Sequence, residues 1–361
     1  MEKGPRPLGI VLTPAEVQDE GLDRVLDNIQ RAGATAILTT IGVATPAQPG
    51  QGRREPPFDV AGQARLLDRP LWGQRELWIH TYTPHAPDPA IWADVPFSPP
   101  TVAPPELRVD VPRQIIDEAR RRGLRAEIQI DPYSLPGAMA GFAVDSGSTV
   151  VDPGDRPRRI DGTVADRAVS GTGCLNNPRV RALGRARLRQ ALAHYPDVDG
   201  IFLDWPEYTT YFLEDCFVCF CDHCQAAATA AGYDWPAMKR DTLALWERLH
   251  RLTNNDLQRV KDPADWAFIA GETAISAGGV AELLRFKAAT VRAVATELRT
   301  VMDDHGAASV ALGLNGFATP WSRVTGMDYR TVSQVCQQTR CKLFTFHWPM
   351  ITRWWSETLL A

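Results

Sequence analysis

Two acidic residues, Asp204 and Glu207, follow the run Gly200-Ile-Phe-Leu and are separated only by Trp205 and Pro206. An apolar run of that kind reads as a buried strand, and Asp204 stands where the chain leaves the core. Trp-Pro then turns the chain and brings Glu207 to the same edge. Two carboxyls held close together can divide acid and base work. One with a raised pKa donates a proton to a leaving oxygen, while its ionised partner acts as nucleophile or activates water. A structural alternative has Asp204 capping the turn and Glu207 pairing with an arginine.

A second cluster is Cys216-Phe-Val-Cys219-Phe-Cys221-Asp-His-Cys224, which holds four of the seven cysteines. Thiolates at this spacing can converge on one tetrahedral zinc, and a site closed by four protein ligands is structural. Cys216, Cys219, Cys221 and Cys224 are the expected set, with a distant thiol such as Cys174 as the alternative fourth. Buried free thiols among Phe212, Phe217 and Phe220 are the competing explanation. The spacing does not match ferredoxin-type iron–sulfur runs.

Other polar residues at expected strand ends are candidate substrate contacts. These are Asp131 in Gln129-Ile-Asp-Pro-Tyr133, Asn315 after Val310-Ala-Leu-Gly-Leu, and His347 with Trp348 after Leu343-Phe-Thr-Phe. His80 and Tyr82 could line the same cleft. Several motifs are absent from the sequence: G-x-G-x-x-G after the first strand, a Walker A loop, H-E-x-x-H and the G-x-S-x-G elbow. Nucleotide cofactors, zinc proteases and serine hydrolases lose their support accordingly.

The elements that must position these groups alternate. Strands are expected at Leu8–Thr13, Ala36–Ile41, Ala126–Asp131, Asp199–Asp204, Ala308–Asn315 and Lys342–His347. Helices are expected at Gly21–Ala32, Arg113–Arg122, Pro178–His194, Gly279–Asp304 and Thr331–Gln338, with another beginning at Ile351–Leu360. Such alternation is the pattern of a parallel α/β sheet. Two long insertions interrupt it, at about 43–112 and 205–278. The first is Pro-rich and carries one strand-like piece, Glu76–Tyr82. The second carries the cysteines and helices near Asp222–Ala231 and Trp235–Leu252. The expectation is one domain over 1–361, a (β/α)8-type TIM barrel incomplete at its C-terminus. Six β/α units are clear where closure needs eight, and in such barrels functional groups gather at the carboxyl ends of the strands.

Bulk properties agree with an ordinary folded domain. The 361 residues are 44% hydrophobic and 23% charged, enough for a large core. A net charge of −4 and a pI near 6.0 give no reason to expect nucleic acid or an anionic membrane as partner. The N-terminus lacks an apolar stretch of signal-peptide length, so a cytoplasmic location is expected. The eleven tryptophans serve cores and sugar faces alike. An oligomer is not indicated.

The segments Asp199–Tyr208, Cys174-Leu-Asn-Asn-Pro178 and Lys342–Met350 resemble the uncharacterised glycoside-hydrolase-like barrels of bacteria, a likeness spanning most of the chain. The C-x-C-x-x-C stretch is similar, over about ten residues, to the zinc cluster of the cysteine-containing β-galactosidases. These resemblances imply a TIM barrel acting on a glycoside. In the β-galactosidase-like clan the acid/base is a Glu after strand four, a position Glu207 could match. The nucleophile there is a Glu after strand seven, and none is available here. In α-galactosidase-like and amylase-like barrels an Asp ending strand four is the nucleophile, and Asp204 matches that position. The leading expectation is therefore hydrolysis of an O-glycosidic bond. A non-catalytic carbohydrate-binding barrel is the first alternative, and a hydrolase using the cysteine-bound metal the second.

Overall fold

A computed structural model describes residues 8–49, 51–55, 59–60, 63–64, 66–136, 152–164, 171–253, 255, 278–342 and 347–360. Its centre is a six-stranded parallel sheet whose strands neighbour one another in chain order. The strands are β1 (Gly9–Leu12), β2 (Ala36–Thr40), β3 (Arg125–Ile130), β4 (Gly200–Asp204), β5 (Ala311–Phe317) and β6 (Gln338–Lys342).

Helices follow the strands as the alternation required. Leu22–Arg31 buries Val25, Leu26 and Ile29 and leaves Asp23, Arg24 and Asp27 outside. Val111–Arg121 starts where Asp110 accepts the Arg113 N–H, and Pro178–His194 where Asn177 accepts the Arg179 N–H. Such side-chain caps satisfy backbone donors that a helix start would otherwise leave free. Gly278–Asp304 runs back to β5, packing Leu283, Phe286, Val291, Val294 and Leu298 into the core. No helix among the described residues is long and apolar enough to cross a membrane.

In a parallel sheet, residues paired in register share a face. Gln129 pairs with Phe202, Asp204 with Asn315, Asn315 with Arg340, and Phe317 with Lys342. These side chains therefore share one face, and contacts across it show that it is concave. Glu127 on β3 accepts from Gln338 Nε2 at 2.9 Å and pairs with Arg340, both from β6. The Arg340 guanidinium also lies against Gly9 of β1, where a Cβ would stand 2.9 Å from Nη2. The sheet is thus curled into half a barrel. Its hollow is filled by charged groups and by Phe202, which packs where Gly313 lacks a Cβ. The opposite faces of the strands, with Ala126, Ile128, Ile130, Ile201, Leu203, Leu312 and Leu314, are buried against the helices.

The strand-like piece Glu76–Tyr82 in the first insertion forms a strand at Leu77–Tyr82, the middle of an antiparallel side sheet with Val43–Pro46 and Arg53–Glu55. One expectation is corrected. The sixth strand is Gln338–Lys342, which begins at the last residue of the stretch read as a helix over Thr331–Gln338 and ends at the first residue of the expected strand Lys342–His347. Only Tyr329–Val332 is helical there. The apolar residues 343–346 lie outside the described residues, and His347 begins the helix His347–Leu360 instead of closing a strand. The inward face of β6 is polar, so apolar periodicity did not mark it.

Candidate functional site

Asp204 closes β4 at the carboxyl edge of the sheet, with its side chain 16% exposed. Its Oδ1 lies 2.6 Å from Lys342 Nζ, and its Oδ2 accepts from Gln129 Nε2 at 3.2 Å. Gln129 Oε1 in turn accepts from Asn315 Nδ2 at 2.8 Å. Groups from β3, β4, β5 and β6 therefore meet around one carboxylate. The Lys342 ammonium also sits 3.6 Å from the centre of the Trp205 ring. Trp205 has φ 53°, a left-handed conformation that costs a bulky L-residue on the order of 1 kcal/mol and that clusters at functional sites.

Asp131 stands next to this group. The pairing of β3 with β4 ends at Ile130 with Leu203, so the residues that follow along the two chains are Asp131 and Asp204. They continue the concave face at neighbouring strand ends. Asp131 Oδ2 accepts from Ser134 Oγ at 2.5 Å, while Oδ1 is buried without a hydrogen-bond partner among the described residues. Burial pushes this carboxyl up to about 6, against the pull of Arg187, whose guanidinium donates to the Asp131 and Ser134 carbonyls.

Glu207 is placed otherwise than a mouth-lining acid would be. It is completely buried, with Oε1 accepting the Phe317 N–H at 2.9 Å and Oε2 accepting from Thr325 Oγ1. Burial raises its carboxyl to about 7, and Lys342 is the main opposing influence. Together the two oxygens tie the loop after β4 to the end of β5 and to the short helix Trp321–Thr325 beyond it.

The remaining candidates separate. Asn315 is 5% exposed and belongs to the Asp204 network through Gln129. His347 is buried, with Nε2 3.0 Å from the Tyr211 hydroxyl. Trp348 is exposed, its ring 4.1 Å from that of Trp321. His80 and Tyr82 lie on the antiparallel side sheet, their rings 6.3 Å apart. Lys342, Gln129 and Arg340 escaped the sequence reading. Their signal was the period-two polar alternation in Glu127-x-Gln129-x-Asp131 and Gln338-x-Arg340-x-Lys342.

The cysteine cluster forms with one change of member. The Sγ atoms of Cys174, Cys219, Cys221 and Cys224 all lie within 4.8 Å of one another, and all four residues are buried. Cys174 Sγ is 3.3 Å from Cys221, 3.6 Å from Cys224 and 3.9 Å from Cys219. A tetrahedral zinc with Zn–S bonds of about 2.3 Å has sulfur–sulfur edges of roughly 3.8 Å, so the donor set and its size fit that ion. Contacts with the neighbouring thiols, Cys174 foremost, hold the Cys221 thiol below its ordinary value. Cys216, expected as the fourth member, stands outside the group. Its sulfur is 3.5 Å from Thr210 Oγ1 among Ile160, Leu213 and Phe217, and burial pushes the thiol up to about 12. Three residues from Cys219, it sits on the short helix Leu213–Phe217, whereas Cys174 arrives from the loop ahead of Pro178–His194.

No family model and no curated protein matches the sequence. Among solved structures, the chain is similar to a β-galactosidase from the psychrophilic Marinomonas ef1, with TM-score 0.48 and 12% identity over 94% of this chain and 41% of that one. A β-galactosidase from Bacillus circulans sp. alkalophilus gives TM-score 0.48 and 13% identity over 93% and 39%. The catalytic domain of a β-amylase from Paenibacillus polymyxa gives TM-score 0.44 and 10% identity over 92% and 75%. The chain spans about two fifths of the length of those two β-galactosidases.

Proposed function

We propose that this half-barrel acts on an O-glycosidic bond, with Asp204 as base or nucleophile and Asp131 as the proton donor. The observation that carries the reading is the register of β3 and β4, which sets these two acids side by side at the carboxyl edge of the concave face. Asp204 forms an ion pair with Lys342 and accepts from Gln129. Asp131, raised to about 6 by burial, retains its proton further toward neutrality and can deliver it to a leaving oxygen. Glu207, with both oxygens engaged inside the protein, holds the scaffold instead of supplying the acid. Asn315 positions Gln129, and exposed Trp348 offers a ring face to a sugar. The four thiols Cys174, Cys219, Cys221 and Cys224 would hold a zinc ion that fixes the insertion after β4 and leaves no open coordination position.

The test is turnover of aryl glycosides and oligosaccharides by wild type, Asp204→Asn and Asp131→Asn. Asp204→Asn lowers turnover of every substrate by at least about 10³-fold. Asp131→Asn loses about 10²–10⁴-fold on oligosaccharides, whose leaving groups need a proton, and far less on activated aryl glycosides. Undiminished activity of Asp204→Asn overturns the assignment. The Lys342–Asp204 contact favours one second reading, a carbohydrate-binding barrel without catalysis, because it occupies Asp204 Oδ1. Calorimetric sugar binding without turnover, unchanged in Asp204→Asn, selects it.

A further inference from the structure

Away from the mouth, the segment following the side sheet is fastened to the end of the helix Pro178–His194 by a cluster the proposed chemistry does not use. Gln190 Oε1 accepts two N–H groups from this segment, the Asp88 amide at 2.9 Å and the Trp92 indole at 3.0 Å. Those two donors fix the amide orientation, so Gln190 Nε2 is the atom turned to His194 Nε2, with which it makes a close contact. An NH₂ group can only donate, so His194 Nε2 must hold a lone pair and the ring is neutral, with its proton on Nδ1. The His85 ring stacks on His194, with centroids 4.2 Å apart and planes 17° from parallel. His85 Nε2 is 2.7 Å from Asp110 Oδ2, and Asp110 Oδ1 accepts from the Tyr195 hydroxyl at 3.0 Å and from the Arg113 N–H at 2.9 Å.

We infer that Gln190, His194, His85 and Asp110 form a proton-sensitive clasp, closed when His194 is neutral, that holds residues 83–110 against the helix end. Protonation of His194 sets an N–H against the Gln190 NH₂, donor against donor, beneath a second imidazole. His85 has a carboxylate to receive its N–H, and His194 has none. The charged and titratable groups facing the pair are Asp110, Tyr195 and Asp88. Arg113, whose Nη2 is 3.4 Å from the His194 carbonyl, stands beyond them, paired with Asp197. Burial first, and His85 second, lower the His194 ring below its ordinary value. The sign follows: the contribution of the clasp is complete above the unfolded-state value of 6.5 and is lost as the pH falls below it. Opening releases Asp88 and Trp92 from Gln190 and frees the far end of the insertion between β2 and β3.

The experiment is a histidine NMR titration of the full chain combined with hydrogen exchange at the Asp88 amide, corrected for intrinsic rates. The result expected is a His194 midpoint below 6.5 and a loss of Asp88 protection of about tenfold or more between roughly pH 7.5 and 5.5. His194→Gln, which keeps an acceptor but takes no proton, should retain that protection at the acid end. A His194 midpoint at or above 6.5, or Asp88 protection that does not change with pH, overturns the clasp. Acid loss in His194→Gln equal to wild type overturns it as well. The two wild-type measurements decide the matter even where the variant does not fold.

Discussion

Lys342 Nζ lies 2.6 Å from Asp204 Oδ1, joining the last residue of β6 to the last residue of β4 across the end of β5. A charge-assisted contact of this length fixes the carboxylate oxygen toward the hollow and leaves it little rotational freedom. Lys342→Met keeps the side-chain stem and removes the ammonium. On the proposed reading it lowers kcat/KM at least tenfold on glycosides without unfolding the chain. In a cycle with Asp204→Asn, the double variant is no worse than Asp204→Asn alone, because the two residues act as one unit. Additive losses in that cycle would show that Lys342 acts elsewhere.

Glu207 makes stability depend on pH in a direction opposite to most carboxylates. Its folded-state value, about 7, lies above the ordinary 4.5, so the folded chain holds a proton that the unfolded chain releases. The contribution is therefore fully present below about pH 4.5 and is lost as the pH rises through about 7. Urea midpoints taken between pH 5 and 8 should decline for wild type and flatten for Glu207→Gln. The amide can still accept the Phe317 N–H and donate to Thr325. Glu207→Ala strands both partners and costs about 3 kcal/mol at neutral pH. A wild-type midpoint that climbs over this range contradicts the account.

The sequence made the skeleton legible because the helix-facing sides of β2, β3, β4 and β5 are apolar runs, and because proline, glycine and asparagine mark the helix ends. It hid β6, whose inward residues Gln338, Arg340 and Lys342 are polar and whose outward face carries Thr339 and Cys341. It also hid the partnership of Asp131 and Asp204, which follows from the register of two strands more than sixty residues apart in the chain. Asp204 itself was visible, since an acid after an apolar strand has few other places to go. The burial of Glu207 was hidden for a local reason: a turn returns the chain toward the mouth, but Thr325 and Phe317, remote in sequence, draw the carboxyl inward. The same limit applies to Cys174, since neighbours in sequence nominated Cys216 while the loop geometry recruited the distant thiol.

Metal analysis discriminates between the two candidate fourth thiols. The protein purified without chelator should carry one zinc ion per chain. Cys174→Ser loses it, and the melting temperature falls by several degrees, because three buried thiols then lack the ion that binds them together. Cys216→Ser retains the zinc and melts within about 2 °C of wild type, since its sulfur makes only a weak contact with Thr210. Full zinc content in Cys174→Ser, or its loss in Cys216→Ser, refutes this assignment.

The curl of the sheet rests in part on Glu127, which is completely buried and meets Arg125, Gln338 and Arg340. Arg340 also covers the Phe202 ring at 3.9 Å, and burial lowers its guanidinium below its ordinary value. Two charges taken from water gain little over a well-packed apolar pair, but removing one of them leaves the other uncompensated. Glu127→Leu should therefore cost about 3–5 kcal/mol in denaturant unfolding. Adding Arg340→Met to it should recover at least half of that loss, because the stranded charge disappears and the methionine still packs on Phe202. If the double variant is instead less stable than Glu127→Leu, Arg340 contributes through packing and hydrogen bonds that do not depend on Glu127. The curl would then rest on the packing of Arg340 against Phe202 and Gly9 and not on its ion pair.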